Sequence, residues 1–235
     1  MYKIEKLVSS SHVGPDGKLT LTAAVDFMQD CSFFQINSVP GLMQEFSARN
    51  MAMFIVSRQV DIIDMPCFGD LLTVETSVWE LNRIFGSRNT VIYDEEGRQR
   101  LISYATGAFV SLANGRPAQI SEEIVKEVPL EEKIEMEYQS RKIRIPLTDP
   151  VFPDRIRVLK SHLDHYNHVN NSRYIMMAFE YLPDQFGVKR LRVEYKIPAK
   201  YGEEVSPVIY TDDNRKVICL ADSNGSSYAV VEFSS

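Results

Sequence analysis

The chain has 235 residues, 44% of them hydrophobic, enough to bury the core of one large domain or two small ones without disulfide staples. Cys31, Cys67 and Cys219 are odd in number, far apart and outside any C-x-x-C, which reads as reduced structural thiols in a cytoplasmic protein. The net charge is −6, Met1–Lys6 has no apolar signal-peptide core, and no apolar run reaches spanning length; nucleic-acid binding, export and a membrane span are not expected.

The first clear element is a helix over 20–35, with Ala24, Phe27, Met28, Cys31 and Phe34 spaced along one face. Leu72, Val74, Thr76 and Val78 then alternate with polar residues as a strand, and Asp94-Glu95-Glu96-Gly97 is a turn joining the strand 89–93 to a long strand over 100–112. Trp79 reads as packing. Residues 121–137 hold seven acids and two lysines behind Ser121, a helix-cap residue, and read as an exposed connector closed by Pro146, Pro150 and Pro153. A second helix is expected over 171–182, with Tyr174, Met177, Ala178, Tyr181 and Leu182 on its apolar face. Strands over 204–210 and 217–221 and an Asn224-Gly225 hairpin ending at Phe233 complete the chain.

These elements form two copies of one plan. Pro66, Phe68, Gly69 and Asp70 recur in order as Pro198, Tyr201, Gly202 and Glu203, with a one-residue slip placed after the proline. Each copy reads strand, helix, antiparallel meander. A helix wrapped by an antiparallel sheet, duplicated in tandem, is the α+β plan of a double hotdog, with an apolar channel expected between helix and strands. The divisions are 1–120 for the N-terminal hotdog, 121–150 for the connector and 151–235 for the C-terminal hotdog. Two fused copies already make a pseudo-dimer, so a monomer and a homodimer of doubles are both open.

Three of the four histidines, His162, His165 and His168, fall in one short run with Asp164 among them, just before the second helix. Asn170 or Asn171 can cap that helix, which sets His168 at a mouth of unpaired amides where an oxyanion would be stabilised. Asp164 fits a base on water or an attacking carboxylate, and His168 a group that positions the carbonyl or shuttles a proton to the departing thiolate, with Asn167 or the amides near Asn170 and Asn171 polarising the carbonyl. The alternative, that they only brace the loop, stays open on the residues alone. H-x-x-H-x-x-H is not an established zinc spacing and has no defined fourth ligand, so no metal is implied. His12 lies in the corresponding loop of the first copy, which lacks the acid and the Val-Asn-Asn, and that half reads as catalytically silent. Neither G-x-S-x-G, a P-loop nor G-x-G-x-x-G occurs.

Gly14-Pro15-Asp16-Gly17-Lys18-Leu19, the Gln29-bearing helix, Phe54-Ile55-Val56-Ser57-Arg58 and Pro66…Gly69-Asp70, followed by Asp164…His168-Val169-Asn170-Asn171…Tyr174 and Glu180, resemble the acyl-[acyl-carrier-protein] thioesterases of plants and bacteria over nearly the whole chain. The resemblance implies hydrolysis of fatty acyl-carrier thioesters to free fatty acid, ending chain elongation, with no cofactor. It carries Asp164 and His168 over as catalytic residues. Two positions depart from the plant pattern: Tyr166 stands where an Asn is usual, with Asn167 beside His168 instead, and Pro198 and Ala199 stand where an acid, often followed by Cys, is usual. Glu194 and Glu203 are the nearest carboxylates. In the first half, flexible methionines and aromatics such as Met28, Phe34 and Met53 suit the wall of an acyl pocket, and Tyr174 is a further substrate-binding candidate.

Residues 141–200 carry twelve Lys/Arg against six Asp/Glu, a basic stretch within an acidic chain. An acidic acyl carrier protein would dock there, with Arg141, Lys142, Lys160, Arg173, Lys189 or Arg192 as contacts. The site motif equally permits a thioesterase for coenzyme A esters, and a noncatalytic acyl-thioester-binding module is the reading from another class.

Overall fold

The computed structural model describes residues 1–235 as two compact units, Met1–Val56 with Ile62–Tyr138, and Ser57–Asp61 with Gln139–Ser235. The division falls at residue 138, inside the stretch read from sequence as a connector.

In the first unit β1 (Tyr2–Leu7), β3 (Leu71–Leu81), β4 (Phe85–Tyr93) and β5 (Gln99–Ser111) pair antiparallel in that spatial order, with β2 (Met51–Ile62) beyond β5. Helix α1 (Leu21–Asn37) starts where Thr20 Oγ1 accepts the Ala23 amide at 3.2 Å. It buries Ala24, Phe27, Met28 and Cys31. Burial pushes the Cys31 thiol up to about 11, and its Sγ donates to the Val74 carbonyl. Phe34, expected on that face, is 49% exposed, and Gln35 is buried in its place. At 3.6 residues per turn, Gln35 lies about 20° from the direction of Ala24 and Phe34 about 80° from it, so the helical period selects the glutamine.

Helix α2 (Pro40–Arg49) escapes the sequence reading, although Pro40 at its first position and left-handed Asn50 at its end (φ 48°) are ordinary start and stop signals. Its Leu42 and Phe46 join Met51, Phe109, Ile120 and Ile124 in one apolar cluster. Ser121 caps α3 (Glu122–Glu127) as expected, accepting the Ile124 amide, and is itself tied to Glu45 through its amide and hydroxyl at 2.8 and 2.7 Å. The connector is therefore anchored rather than simply exposed. Further along, Tyr138 donates to Asn89 Oδ1 or the Ile134 carbonyl, and the Lys133 ammonium sits 4.5 Å from the Trp79 ring and 3.6 Å from that of Tyr138.

In the second unit, the Ser57–Asp61 stretch pairs antiparallel with β7 (Arg190–Tyr195), followed in space by β10 (Ser227–Ser234), β9 (Arg215–Ala221), β8 (Glu204–Asp212) and the short β6 (Ile156–Arg157). Helix α4 (Asn171–Phe179) packs on β9 and β10 with Tyr174, Ile175, Met177 and Ala178 buried. It stops before Tyr181 and Leu182, which continue only as turns into Pro183, a residue that cannot extend a helix.

The internal repeat appears as a shared hydrogen-bond frame. Ser9 N–H donates to His12 Nδ1 at 3.0 Å and Leu159 N–H to His162 Nδ1 at 3.2 Å. Val8 donates to the Asp70 carbonyl and Val158 to that of Glu203, both at 2.9 Å; Leu19 donates to the Pro66 carbonyl at 2.7 Å and Val169 to that of Ala199 at 2.9 Å. The Asp70 carboxylate closes its turn on the Cys67 amide at 2.8 Å, as Glu203 does on the Lys200 amide at 2.9 Å. Pro66 therefore matches Ala199, not Pro198, and the two copies run from the strand end through the turn at one constant offset, with no slip after the proline. By the same frame His12 is the counterpart of His162.

Candidate active site

The loop before α4 is a tight hairpin. Asp164 N–H donates to the His168 carbonyl at 2.8 Å, Asn167 N–H donates to the Asp164 carbonyl at 3.1 Å, and Leu163 bridges to Val169. The turn needs a left-handed residue at its corner, and Asn167 takes it with φ 60°. Its counterpart is Gly17, at φ 74°. Backbone conformation thus accounts for Asn167 directly, and its side chain lies exposed at the tip.

Asp164 fixes the hairpin from inside. Its Oδ1 accepts the amides of Tyr166 at 2.8 Å and His168 at 3.2 Å, which orients the carboxylate and sets Asp164 and His168 across from one another, both half-buried. In the first unit Gly14 N–H donates to the Lys18 carbonyl at 2.9 Å in the same frame, so glycine stands for Asp164 and lysine for His168. That copy keeps the turn and lacks both groups.

At the helix mouth Asn170 Oδ1 accepts from the Ser172 amide at 3.0 Å and the Ser172 hydroxyl at 3.1 Å, while the Arg173 amide turns back to the Asn170 carbonyl. The Asn171 amide, first in the helix, makes no bond within the chain. It points a donor out of the positive end of α4, beside the hairpin that carries Asp164 and His168.

Tyr174 is buried, and its hydroxyl accepts the Ala199 amide at 2.8 Å. Burial raises its pKa, and the negative charges of Glu203 and Asp164 act in the same direction. The first copy has Ala24 and Pro66 at these places, where proline has no amide to satisfy. Tyr174→Phe is expected to cost about 1–3 kcal/mol by orphaning the Ala199 amide, and adding Ala199→Pro is expected to recover most of it. Thermal melts of the two variants check this; a double variant no more stable than Tyr174→Phe would show that the amide is not the cause.

Tyr195 donates to the Asn171 carbonyl at 3.2 Å, and Arg58, 3% exposed, lies close enough for its charge to act on Tyr195. Sequence reasoning missed Tyr195 as a support of the helix start, because its link to Asn171 is made only in three dimensions. The other histidines have separate work: His162 Nδ1 holds the Leu159 amide, its pKa lowered by burial and then by Arg173, and the exposed His165 ring lies 4.0 Å from that of Tyr166. Glu203 takes the Tyr228 hydroxyl at 3.1 Å besides closing its turn, and Glu194 accepts the Ile143 amide. Burial, reinforced by Glu203, pushes the Tyr228 phenol up to about 12.

The first unit holds a cavity of about 410 Å³, walled by Gln35, Val39, Leu42, Met53, Leu81 and Phe109 among others. Met53 lies in that wall. Met28 is fully buried on α1 outside it, and Phe34 faces solvent. No helix is long and apolar enough to cross a membrane.

Residues 1–128 match the family model of the acyl-ACP thioesterase N-terminal domain, and residues 147–227 that of the acyl-ACP thioesterase C-terminal domain. No curated protein matches the sequence. Among solved structures, an acyl-ACP thioesterase from Bacteroides thetaiotaomicron is 20% identical with a TM-score of 0.87, covering 99% of this chain and 96% of its own. A putative oleoyl thioesterase from Lactobacillus plantarum is 19% identical at 0.87, covering 99% and 94%. A 12:0-ACP thioesterase from Umbellularia californica is 18% identical at 0.79, covering 99% and 96%. At these identities the likeness to solved structures establishes the shared double-hotdog fold.

Proposed function

Because the chain belongs to the acyl-ACP thioesterase family, we propose that it hydrolyses the acyl-carrier thioester at the mouth of α4, by attack of a water that Asp164 deprotonates. The chain is a thioester hydrolase, releasing free fatty acid and the carrier's thiol. The observation that carries the site assignment is the clamped Asp164: Oδ1 is spent on two backbone amides, which leaves Oδ2 to take a proton from water. As the carbonyl carbon becomes tetrahedral, its oxygen gains negative charge, and the unpaired Asn171 amide at the positive end of α4 is the donor placed to receive it. Collapse expels the thiolate, and the proton that Asp164 took from water passes by way of His168 to the sulfur, which returns Asp164 to its carboxylate form. Asn167 serves as the left-handed corner that holds Asp164 and His168 opposed. In the first unit Gly14 and Lys18 supply neither base nor shuttle, in keeping with a silent copy.

The acyl chain lies in the cavity of the first unit, whose wall is apolar at Val39, Leu42, Met53, Leu81 and Phe109. The carrier docks on basic residues of the second unit. Lys160 is exposed and Arg173 half-exposed, next to and on the elements that hold the catalytic loop. Arg192 is a poorer contact than its charge suggests, since it pairs with Glu232 at 2.7 Å and is 11% exposed. Lys160→Glu with Arg173→Glu is expected to raise KM for acyl-ACP about tenfold and to leave a short free thioester within about twofold. Equal loss on both substrates would contradict docking there. Comparing kcat/KM for one acyl group on the protein carrier and on coenzyme A tests the carrier itself; preference for the coenzyme A ester would overturn the assignment.

A further inference from the structure

Strands β4 and β5 carry glycines opposite each other, Gly86 facing Gly107 in the antiparallel register. Glycine weakens a strand and gives it nothing to pack, so a facing pair in mid-sheet marks a place where something else must come close. Over Gly107 that is Met53, and over Gly86 Met53 shares the place with Leu81. A Cβ at Gly107 would fall 2.5 Å from Met53 Cε and 3.0 Å from its Cγ; one at Gly86 would fall 3.2 Å from the same Cε and 2.9 Å from Leu81 Cδ1. Met53 comes from β2, lies over the two missing Cβ positions, and is itself part of the cavity wall together with Gly86 and Leu81.

We propose that Met53, seated on the Gly86–Gly107 pair, is the stop that sets how long an acyl chain the cavity accepts. This rests on the reading that the cavity holds the acyl chain. The position is suited to the task because the side chain is unbranched and adaptable, so its place is fixed by the strand surface beneath it rather than by its own rotamer. The seat decides the depth: with no Cβ below, Met53 lies flat and leaves the cavity its present reach. A methyl group at Gly107 occupies the space of Cε and Cγ, and the thioether must lift away from the sheet into the cavity. Removing the side chain beyond Cβ takes away three heavy atoms and opens a comparable length for substrate. Each further buried methylene then contributes up to about fourfold in binding, so one two-carbon step is worth at most roughly fifteenfold.

The test is kcat/KM of the full chain on a panel of saturated acyl-ACPs differing by two carbons. Met53→Ala is expected to raise the next-longer substrate about tenfold relative to the wild-type optimum, and Gly107→Ala to shift the preference a similar amount toward the shorter one. Gly86→Ala, which presses on Cε less closely, is expected to shift it the same way by less. In the Met53→Ala background, Gly107→Ala is expected to change the ratio by less than about twofold, because the group it displaces is gone. A profile unmoved by Met53→Ala and Gly107→Ala, or shifts that simply add in the double variant, would overturn the proposal. Val39→Trp, which fills the cavity from its half-exposed rim, separates the two levels. If it moves the profile while the Met53 and glycine variants do not, the stop lies elsewhere and the acyl cavity stands; if it too changes nothing, the acyl cavity itself is refuted.

Discussion

Asp164→Asn is expected to lower kcat on acyl-ACP by about 10³-fold while leaving the fold and thioester binding intact. The asparagine side chain keeps an oxygen where Oδ1 stands, so the amides of Tyr166 and His168 retain their acceptor at 2.8 and 3.2 Å and the hairpin survives. What is lost is the second oxygen's basicity, the one property needed to deprotonate water. Asp164→Ala removes acceptor and base together and would confound loop and chemistry. Steady-state turnover with a parallel measurement of acyl-thioester affinity and a thermal melt checks the expectation. A kcat within about threefold of wild type would move the base elsewhere.

His168→Ala is expected to cost less, about 10²-fold in kcat with KM nearly unchanged. An alkyl thiol has a pKa near 8.5, so a thiolate departs without much protonation and the histidine's proton transfer is worth less than making the nucleophile. The loop is expected to tolerate the change, because what ties residue 168 into the hairpin is its amide on Asp164 and its carbonyl on the Asp164 amide. The loss should shrink on an activated thioester whose leaving group needs no proton, a comparison that separates proton shuttling from mere positioning. An equal loss on both substrates would point to positioning.

Much of this arrangement is legible in the sequence, because its signals are local. The Asp164–Asn171 run carries its own helix cap, the strand of Leu72, Val74, Thr76 and Val78 announces itself by alternation, and the Asp94–Gly97 turn by its glycine, which takes φ 75°. The duplication is legible as well, but its register is not. Pro66 and Pro198 look equivalent in the chain, whereas the carbonyl that receives Leu19 belongs to Pro66 and the one that receives Val169 belongs to Ala199. Only the hydrogen-bond frame distinguishes them. The same frame explains why Tyr174 stands against Ala199 where the first copy has Ala24 and Pro66 at the corresponding positions: an amide to satisfy is present in one copy and absent in the other.

The illegible parts depend on distant residues. Met28 and Met53 are alike by composition, yet one is fully buried on α1 and the other walls a cavity, lying over two glycines far along the chain. Charge counting ranks Arg192 with Lys160, but a strand neighbour, Glu232, neutralises the arginine. Glu203 attracts interest as a carboxylate near the family's missing acid, and its twin Asp70 shows the shared task of closing a turn on a backbone amide.

The most direct measurement is a rapid-quench single turnover of acyl-ACP on wild-type protein, with intact-protein mass spectrometry at each time point. If water attacks with Asp164 as its base, free fatty acid rises in one phase as acyl-ACP disappears and the enzyme's mass never changes. An acyl adduct on the peptide that contains Asp164, forming and decaying at rates that account for product, would make Asp164 the nucleophile and contradict water attack.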